Sequence, residues 1–333
     1  MPARHTFAVF GAGAWGSALA KLLVENGHST VLWGRSEDGI DDIARDRTNQ
    51  RFLPNVRLPE ALMFTRDTES AFLAEIPLLV VPSFAFKNLI SDHAGLIRQR
   101  GKLVWATKGL EPESRQLLDR VAAEILGPEV KLAVISGPNF ATEVARRVPT
   151  ATTIASNDTA LAEQVAKALH NDWFRAYIGN DMTGAQLGGA LKNSLAIAAG
   201  IADGLGFGAN TRAALLTRGL AEITRLSVAM GAQLETLMGL AGIGDLLLTC
   251  TDNQSRNRRL GLLLAEGLDL ASAREKIGQV VEGVKTAQVA CQLAKDYKVE
   301  MPINEQVYRV LFEGTAPADA VQELLNRELT REH

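Results

Sequence analysis

Over its first 180 residues the chain alternates short apolar runs with stretches of helical period. Thr6–Phe10 is an apolar run closed by Gly11 and predicts a buried strand. From Ala14 to Glu25 the positions Trp15, Ala18, Leu19, Leu22 and Leu23 share one helical face, and Gly27 stands where a helix C-cap belongs. Ser29–Trp33 predicts a second strand. Further strands are predicted at Leu62–Thr65, Pro77–Val81, Lys102–Ala106, Leu132–Ile135, Thr150–Ala155 and Phe174–Ile178. Helices lie between most of them, at Ser114–Leu126 and Asp158–His170 among others. The polar, proline-punctuated stretch Asp46–Pro59 predicts a loop. After about Asp181 the strand signal stops, and helices are predicted at Thr211–Met230, Ser255–Glu266, Thr286–Tyr297 and Asn304–Phe312. The pattern is that of an α/β protein with a mostly parallel sheet covered on both faces over residues 1–183, followed by an all-α domain over residues 184–333. No internal repeat or low-complexity linker separates the two.

One segment breaks the ordinary distribution of charge. Between Asp181 and Asp203 the only charged residue is Lys192, set in Gly188-Gly189-Ala190-Leu191-Lys192-Asn193-Ser194 and the apolar run that follows. Burying an ammonium removes its hydration and demands compensation, for which a reacting substrate is one candidate. A lysine that can shift its pKa is also a natural acid–base catalyst. The plain alternative is a lysine that snorkels its head to the surface. A membrane span is disfavoured, because a central lysine costs roughly 2.5–3.5 kcal/mol on insertion scales.

Composition narrows the function. At 333 residues, 47% hydrophobic and 22% charged, the chain suits about two globular domains with sizeable cores. A net charge of −3 and no lysine-rich tract argue against nucleic acid as a partner. The basic cluster Arg256, Arg258, Arg259 suits a small anion better than a duplex. Two cysteines, Cys250 and Cys291, and five scattered histidines predict neither a disulfide framework nor a metal site. Met1–His5 leads straight into a strand, without the pattern of a signal peptide, so the expectation is a cytoplasmic protein.

Gly11-Ala12-Gly13-Ala14-Trp15-Gly16 fits G-x-G-x-x-G between a predicted strand and a predicted helix. Gly11 permits the turn, Gly13 lets a pyrophosphate approach the backbone, and Gly16 lets helix and strand pack closely. The helix N-terminus adds N–H donors and a partial positive charge. The first domain is therefore predicted to be a Rossmann-type dinucleotide-binding domain. Where NAD-preferring sites carry a carboxylate, at the end of the second strand, this chain has Arg35, which points to NADP(H), with NAD(H) possible because Glu37 and Asp38 follow. Loops after later strands should face the same cleft. They are Val81-Pro82-Ser83, Ala106-Thr107-Lys108-Gly109 and Ser136 to Ala141, and Lys108 is the cation among them.

With these motifs in order, the chain resembles bacterial-type NAD(P)-dependent glycerol-3-phosphate dehydrogenase over nearly its whole length. The likeness rests on Gly11–Gly16, Asn49–Pro54, Val81–Ser83, Ala106–Leu110, Ser136–Ala141, Gly189–Asn193, Asp203–Asn210, Gly242–Cys250 and Ser255-Arg256-Asn257. It implies interconversion of dihydroxyacetone phosphate and sn-glycerol 3-phosphate, which feeds glycerophospholipid synthesis, and a dimer. By position it implies Lys192 as the catalytic lysine. Its substrate positions correspond to Lys108, Gly137, Asn139, Lys192, Asp245, Ser255, Arg256 and Asn257. Its cofactor positions correspond to Ala14, Trp15, Arg35, Lys108, Ala141, Arg256, Val280 and Glu282, beside Gly11, Gly13 and Gly16. Position 139 often carries a small hydroxyl residue in such proteins; here it is Asn.

The residues suit that chemistry. Lys192 can give a proton to a ketone oxygen and stabilise its developing charge. Burial and nearby cations should lower its pKa and assist the reverse oxidation under alkaline conditions. Ser255 is a predicted N-cap, which sets Arg256 and Asn257 in a first helical turn where a phosphate meets N–H groups and a guanidinium. Arg258 and Arg259 read as a solvated face. Asp245, in an apolar setting, needs a partner, either Lys192 or a substrate hydroxyl, and Thr249 can add a hydrogen bond. A β-hydroxyacid or 6-phosphogluconate-type dehydrogenase, and a non-catalytic nucleotide sensor, are the alternative readings.

Overall fold

The computed structural model describes residues 4–327, so the first three residues of the Met1–His5 stretch lie outside it. The chain divides into two compact units, Met1–Gln186 and Leu187–His333.

Among the described residues the first unit holds ten strands: β1 (Thr6–Phe10), β2 (Ser29–Trp33), β3 (Thr48–Asn49), β4 (Leu53–Arg57), β5 (Met63–Thr65), β6 (Ile76–Leu79), β7 (Lys102–Trp105), β8 (Lys131–Ser136), β9 (Thr150–Ser156) and β10 (Phe174–Gly179). Eight of them form one sheet in the order β10-β9-β8-β7-β6-β1-β2-β5, parallel at every step except β8–β9. β1 explains why both faces are covered. Its alternate residues Phe7 and Val9 join a core with Leu19, Leu22 and Leu23 of the Ala14–Glu25 helix and Leu161 and Val165 of the Thr159–Leu169 helix. Phe10 points the other way and stacks on Phe72 at 4.2 Å. The chain leaves β1 for β2 on one side and β6 lies on the other, so the carboxyl end of β1 is the switch point of the sheet.

Two sequence expectations need correction here. Asp46–Pro59 is a two-stranded antiparallel ribbon, β3–β4, rather than a loop. Its buried Asn49, Leu53, Val56 and Leu58 anchor it, while Pro54 and Asn55 face solvent, where a missing N–H costs nothing. The helix expected from Ser114 starts at Leu118. Arg115 has φ 62°, and Glu111 accepts hydrogen bonds from both the backbone N–H and the hydroxyl of Ser114, so that segment is turned before the helix begins.

The second unit is helical. The Met182–Gly204 helix leads into it and is buried at every position from 184 to 202. Its small residues have a packing reason. A Cβ on Gly200 would sit 2.1 Å from the Arg258 carbonyl oxygen, and one on Gly261 would sit 2.1 Å from that of Ile197. The backbones of this helix and of Arg256–Ala265 therefore touch, which no larger residue allows.

Candidate functional site

In the first unit, Gly11 follows β1 and is held on both sides of the switch point. Its N–H donates to Trp33 O at 3.0 Å, while Val80 N–H donates to Phe10 O at 2.8 Å. Gly11 has φ 119°, and a Cβ there would meet Val80 O at 2.7 Å; one on Gly16 would lie 1.9 Å from Gly11 O. Gly13 differs, with φ −76° and ψ −177° and no protein atom within 4 Å of a Cβ built on it. The chain thus spends one glycine on a turn and one on helix–strand contact, and leaves open space at the third. That is the cradle a dinucleotide pyrophosphate requires, and Gly13 opens the helix of Ala14, Trp15 and Gly16 as its N-cap. The indole N–H of Trp15 is buried without an acceptor.

The loops after β6, β7 and β8 are tied together. Thr107 Oγ1 donates to Val81 O at 2.7 Å, and Lys108 Nζ donates to Gly137 O at 3.0 Å. Asn139 donates both N–H groups to β9, to Thr150 Oγ1 at 2.8 Å and Ala151 O at 2.9 Å, so it offers an acceptor where a hydroxyl could also donate. Ala141 opens the short helix Ala141–Ala145. Arg35 lies just past β2, its guanidinium gripping Asp38 at 2.9 and 3.0 Å and Glu37 at 3.0 Å. A 2′-phosphate would have to compete with those two carboxylates.

In the second unit Lys192 is 5% exposed and does not snorkel. Its Nζ is ion-paired with Asp245 Oδ1 and donates to Thr249 Oγ1 at 2.7 Å. Thr249 Oγ1 in turn donates to Asp245 O at 2.6 Å. Asp245 itself is 1% exposed. Its position comes from a π-helical turn, Leu240–Gly244, directly before the Asp245–Thr251 helix. Such turns carry an extra residue per loop of hydrogen bonds and re-aim the side chain that follows. The expected partner of Asp245 is thus Lys192. A buried pair of this kind repays its desolvation only when further hydrogen bonds hold it, which is the part Thr249 plays.

Ser255 is an N-cap, its hydroxyl accepting from Arg258 N–H at 3.2 Å. Arg256 follows at the exposed first position of a ten-residue helix. Asn257 is a clamp: it donates to Asn193 Oδ1 at 2.9 Å and accepts from Gly283 N–H at 2.9 Å. It thereby joins the residue after Lys192, the residue after Arg256 and the first turn of the Glu282–Asp296 helix. Val280 is 47% exposed and Glu282 opens that helix.

Arg258 is not on a solvated face. It is buried, donates to Asp203 Oδ2 at 2.5 Å and to Cys250 O at 3.1 Å, and shares Asp203 with Arg212. The signal was present in the sequence as an isolated Asp203 at the end of an apolar helix, but its partners lie 9 and 55 residues away. Among the described residues one window, Leu234–Thr251, is apolar and long enough to cross a membrane. It is not the Lys192 stretch that the sequence singled out, and it contains the π turn and the ion-paired Asp245.

Models of two protein families match the chain: NAD-dependent glycerol-3-phosphate dehydrogenase N-terminus over residues 6–162, and NAD-dependent glycerol-3-phosphate dehydrogenase C-terminus over residues 181–322. A glycerol-3-phosphate dehydrogenase (NAD(P)+) of Shewanella halifaxensis is 52% identical over 96% of this chain and 95% of its own. A crystal structure of glycerol-3-phosphate dehydrogenase from Coxiella burnetii superposes with a TM-score of 0.94 at 47% identity, covering 97% of this chain and 99% of its own. The yeast enzyme is similar at a TM-score of 0.80 and 25% identity, over 98% of this chain and 100% of its own.

Proposed function

Because the chain belongs to the NAD-dependent glycerol-3-phosphate dehydrogenase family, we propose that Lys192 is the proton donor and acceptor of its reaction. The protein is an NAD(P)-dependent oxidoreductase that interconverts dihydroxyacetone phosphate and sn-glycerol 3-phosphate. When bound, the dinucleotide supplies or accepts the hydride at the substrate's second carbon. Gly11, Gly13, Ala14, Trp15 and Gly16 would hold its pyrophosphate side, and Arg35 its adenosine side.

In the direction of reduction the ketone oxygen gains negative charge. An ammonium at Lys192 gives it a proton and stabilises the alkoxide as it forms. In oxidation the same nitrogen takes the proton back. Asp245 and Thr249 orient that ammonium. The substrate phosphate is held by Arg256 with the capped helix start at Ser255. Asn257 contributes by fixing the two helices that carry Lys192 and Arg256. Arg35 favours NADP(H) over NAD(H), by a margin that Glu37 and Asp38 reduce. By its resemblance the protein works in the cytoplasm as a homodimer and supplies glycerophospholipid synthesis.

The observation that carries this reading is a lysine buried among apolar helices with a dedicated carboxylate and hydroxyl. Oxidation of NADPH and NADH, followed optically with dihydroxyacetone phosphate, is the direct test. Lys192→Ala should lose roughly 10²–10⁴-fold in kcat, the range for a general acid, and still bind NADPH. Turnover near that of the parent would remove Lys192 from the chemistry.

A further inference from the structure

The ribbon β3–β4 ends on a residue with three hydrogen bonds and 1% exposure, Asn49. Its Nδ2 donates to Ala12 O at 2.8 Å and to Ser17 Oγ at 2.9 Å, and its Oδ1 accepts from Phe52 N–H at 3.2 Å. Both amide hydrogens are therefore spent on the glycine loop and the first turn of its helix. The acceptor bond from Phe52 fixes which way the amide faces.

The consequence follows from peptide geometry. The described chain has no cis peptide bonds, so the C=O of Ala12 and the N–H of Gly13 point in opposite directions across one plane. Drawing Ala12 O onto Asn49 turns Gly13 N–H away from the ribbon. The bond to Ser17, whose own N–H donates to Gly13 O at 3.0 Å, ties the same amide to the helix turn that holds the next peptide, Gly13–Ala14. A loop whose donors are already oriented loses less freedom when an anion arrives.

We propose that Asn49 is a positioning residue for the dinucleotide, aiming the Gly13 amide at the pyrophosphate through a carbonyl it never lets rotate. This rests on the reading of Gly11–Gly16 as the nucleotide loop. It also gives the ribbon a purpose: the crossover between β2 and β5 carries a polar side chain back under the loop.

Asn49→Asp keeps the shape, removes both donors and sets a carboxylate against Ala12 O. The dissociation constant of NADPH, measured by fluorescence titration without substrate, should rise about tenfold or more, as expected for loss of a hydrogen bond or two. The KM for dihydroxyacetone phosphate at saturating NADPH should stay within about twofold. Ser17→Ala, which leaves the Ala12 bond intact, should weaken NADPH binding much less. An unchanged dissociation constant in folded Asn49→Asp, or equal rises in both constants, overturns the proposal. Should Asn49→Asp not fold, Asn49→Ser carries the same comparison, and failure of both to fold overturns it by making Asn49 a folding residue. Gly13→Ala separates this from the loop reading itself. If it leaves NADPH affinity unchanged, the loop reading fails; if it weakens binding and Asn49→Asp does not, the inference about Asn49 alone fails.

Discussion

Replacing Gly13 by alanine should separate binding from stability. Its φ of −76° and ψ of −177° are open to any residue, and no protein atom lies within 4 Å of the added methyl. Nothing in the folded chain resists the change. Alanine also has fewer unfolded conformations to lose, which stabilises by about 0.4–1 kcal/mol. For a chain of this size that is a rise of roughly 1–4 °C in melting temperature. The ligand meets the opposite situation. The glycine permits phosphate oxygens to approach the backbone, and a methyl there displaces them by more than a hydrogen bond tolerates. Loss of one or two charge-assisted hydrogen bonds, roughly 1.5–3 kcal/mol each, weakens NADPH by at least about tenfold. Calorimetric titration with NADPH and a melting curve on one sample measure both effects. Gly16→Ala is the internal contrast, since its Cβ would lie 1.9 Å from Gly11 O and the fold must yield. A Gly13→Ala protein with parental affinity, or with stability lost as in Gly16→Ala, refutes the reasoning.

Arg256→Ala should raise the KM for dihydroxyacetone phosphate by about 10-fold or more with a smaller change in kcat, and steady-state kinetics showing an unchanged KM would take Arg256 out of the phosphate site. Glu222, buried and accepting from Ile303 N–H at 2.8 Å and Asn304 N–H at 3.2 Å, is pushed up from 4.5 to about 7 by burial. An acid whose folded pKa exceeds its unfolded one holds more protons when folded, so its contribution is complete below pH 4.5 and is lost as pH rises towards 7. The parent should therefore lose at most about 3 kcal/mol across that window relative to Glu222→Gln; parallel stability–pH curves in urea would contradict this. Burial pushes the Cys250 thiol up to about 12, so the native protein should alkylate there far more slowly than the unfolded one, as peptide mapping would show.

Local pattern was enough for the elements whose signal is contained within a few residues. β1, the Ala14–Glu25 helix and β2 stand at their predicted bounds, because apolar period and a terminal glycine define each of them. Ser255 was legible as a cap for the same reason. The β3–β4 ribbon was not, since a proline and polar residues mask a strand whose stability comes from what Asn49 and Leu53 are buried against.

The sequence by itself determined the two architectures, the glycine loop and the oddity of Lys192, since each is a matter of spacing or of a charge among apolar neighbours. Tertiary structure decided what the isolated polar residues do. Asp245 and Thr249 reach Lys192 across 53 and 57 residues, Asp203 meets Arg258 across 55, and Asn49 meets Ala12 across 37. A buried polar group must find a partner, but the chain between the two carries no trace of the choice; only packing brings the partners together.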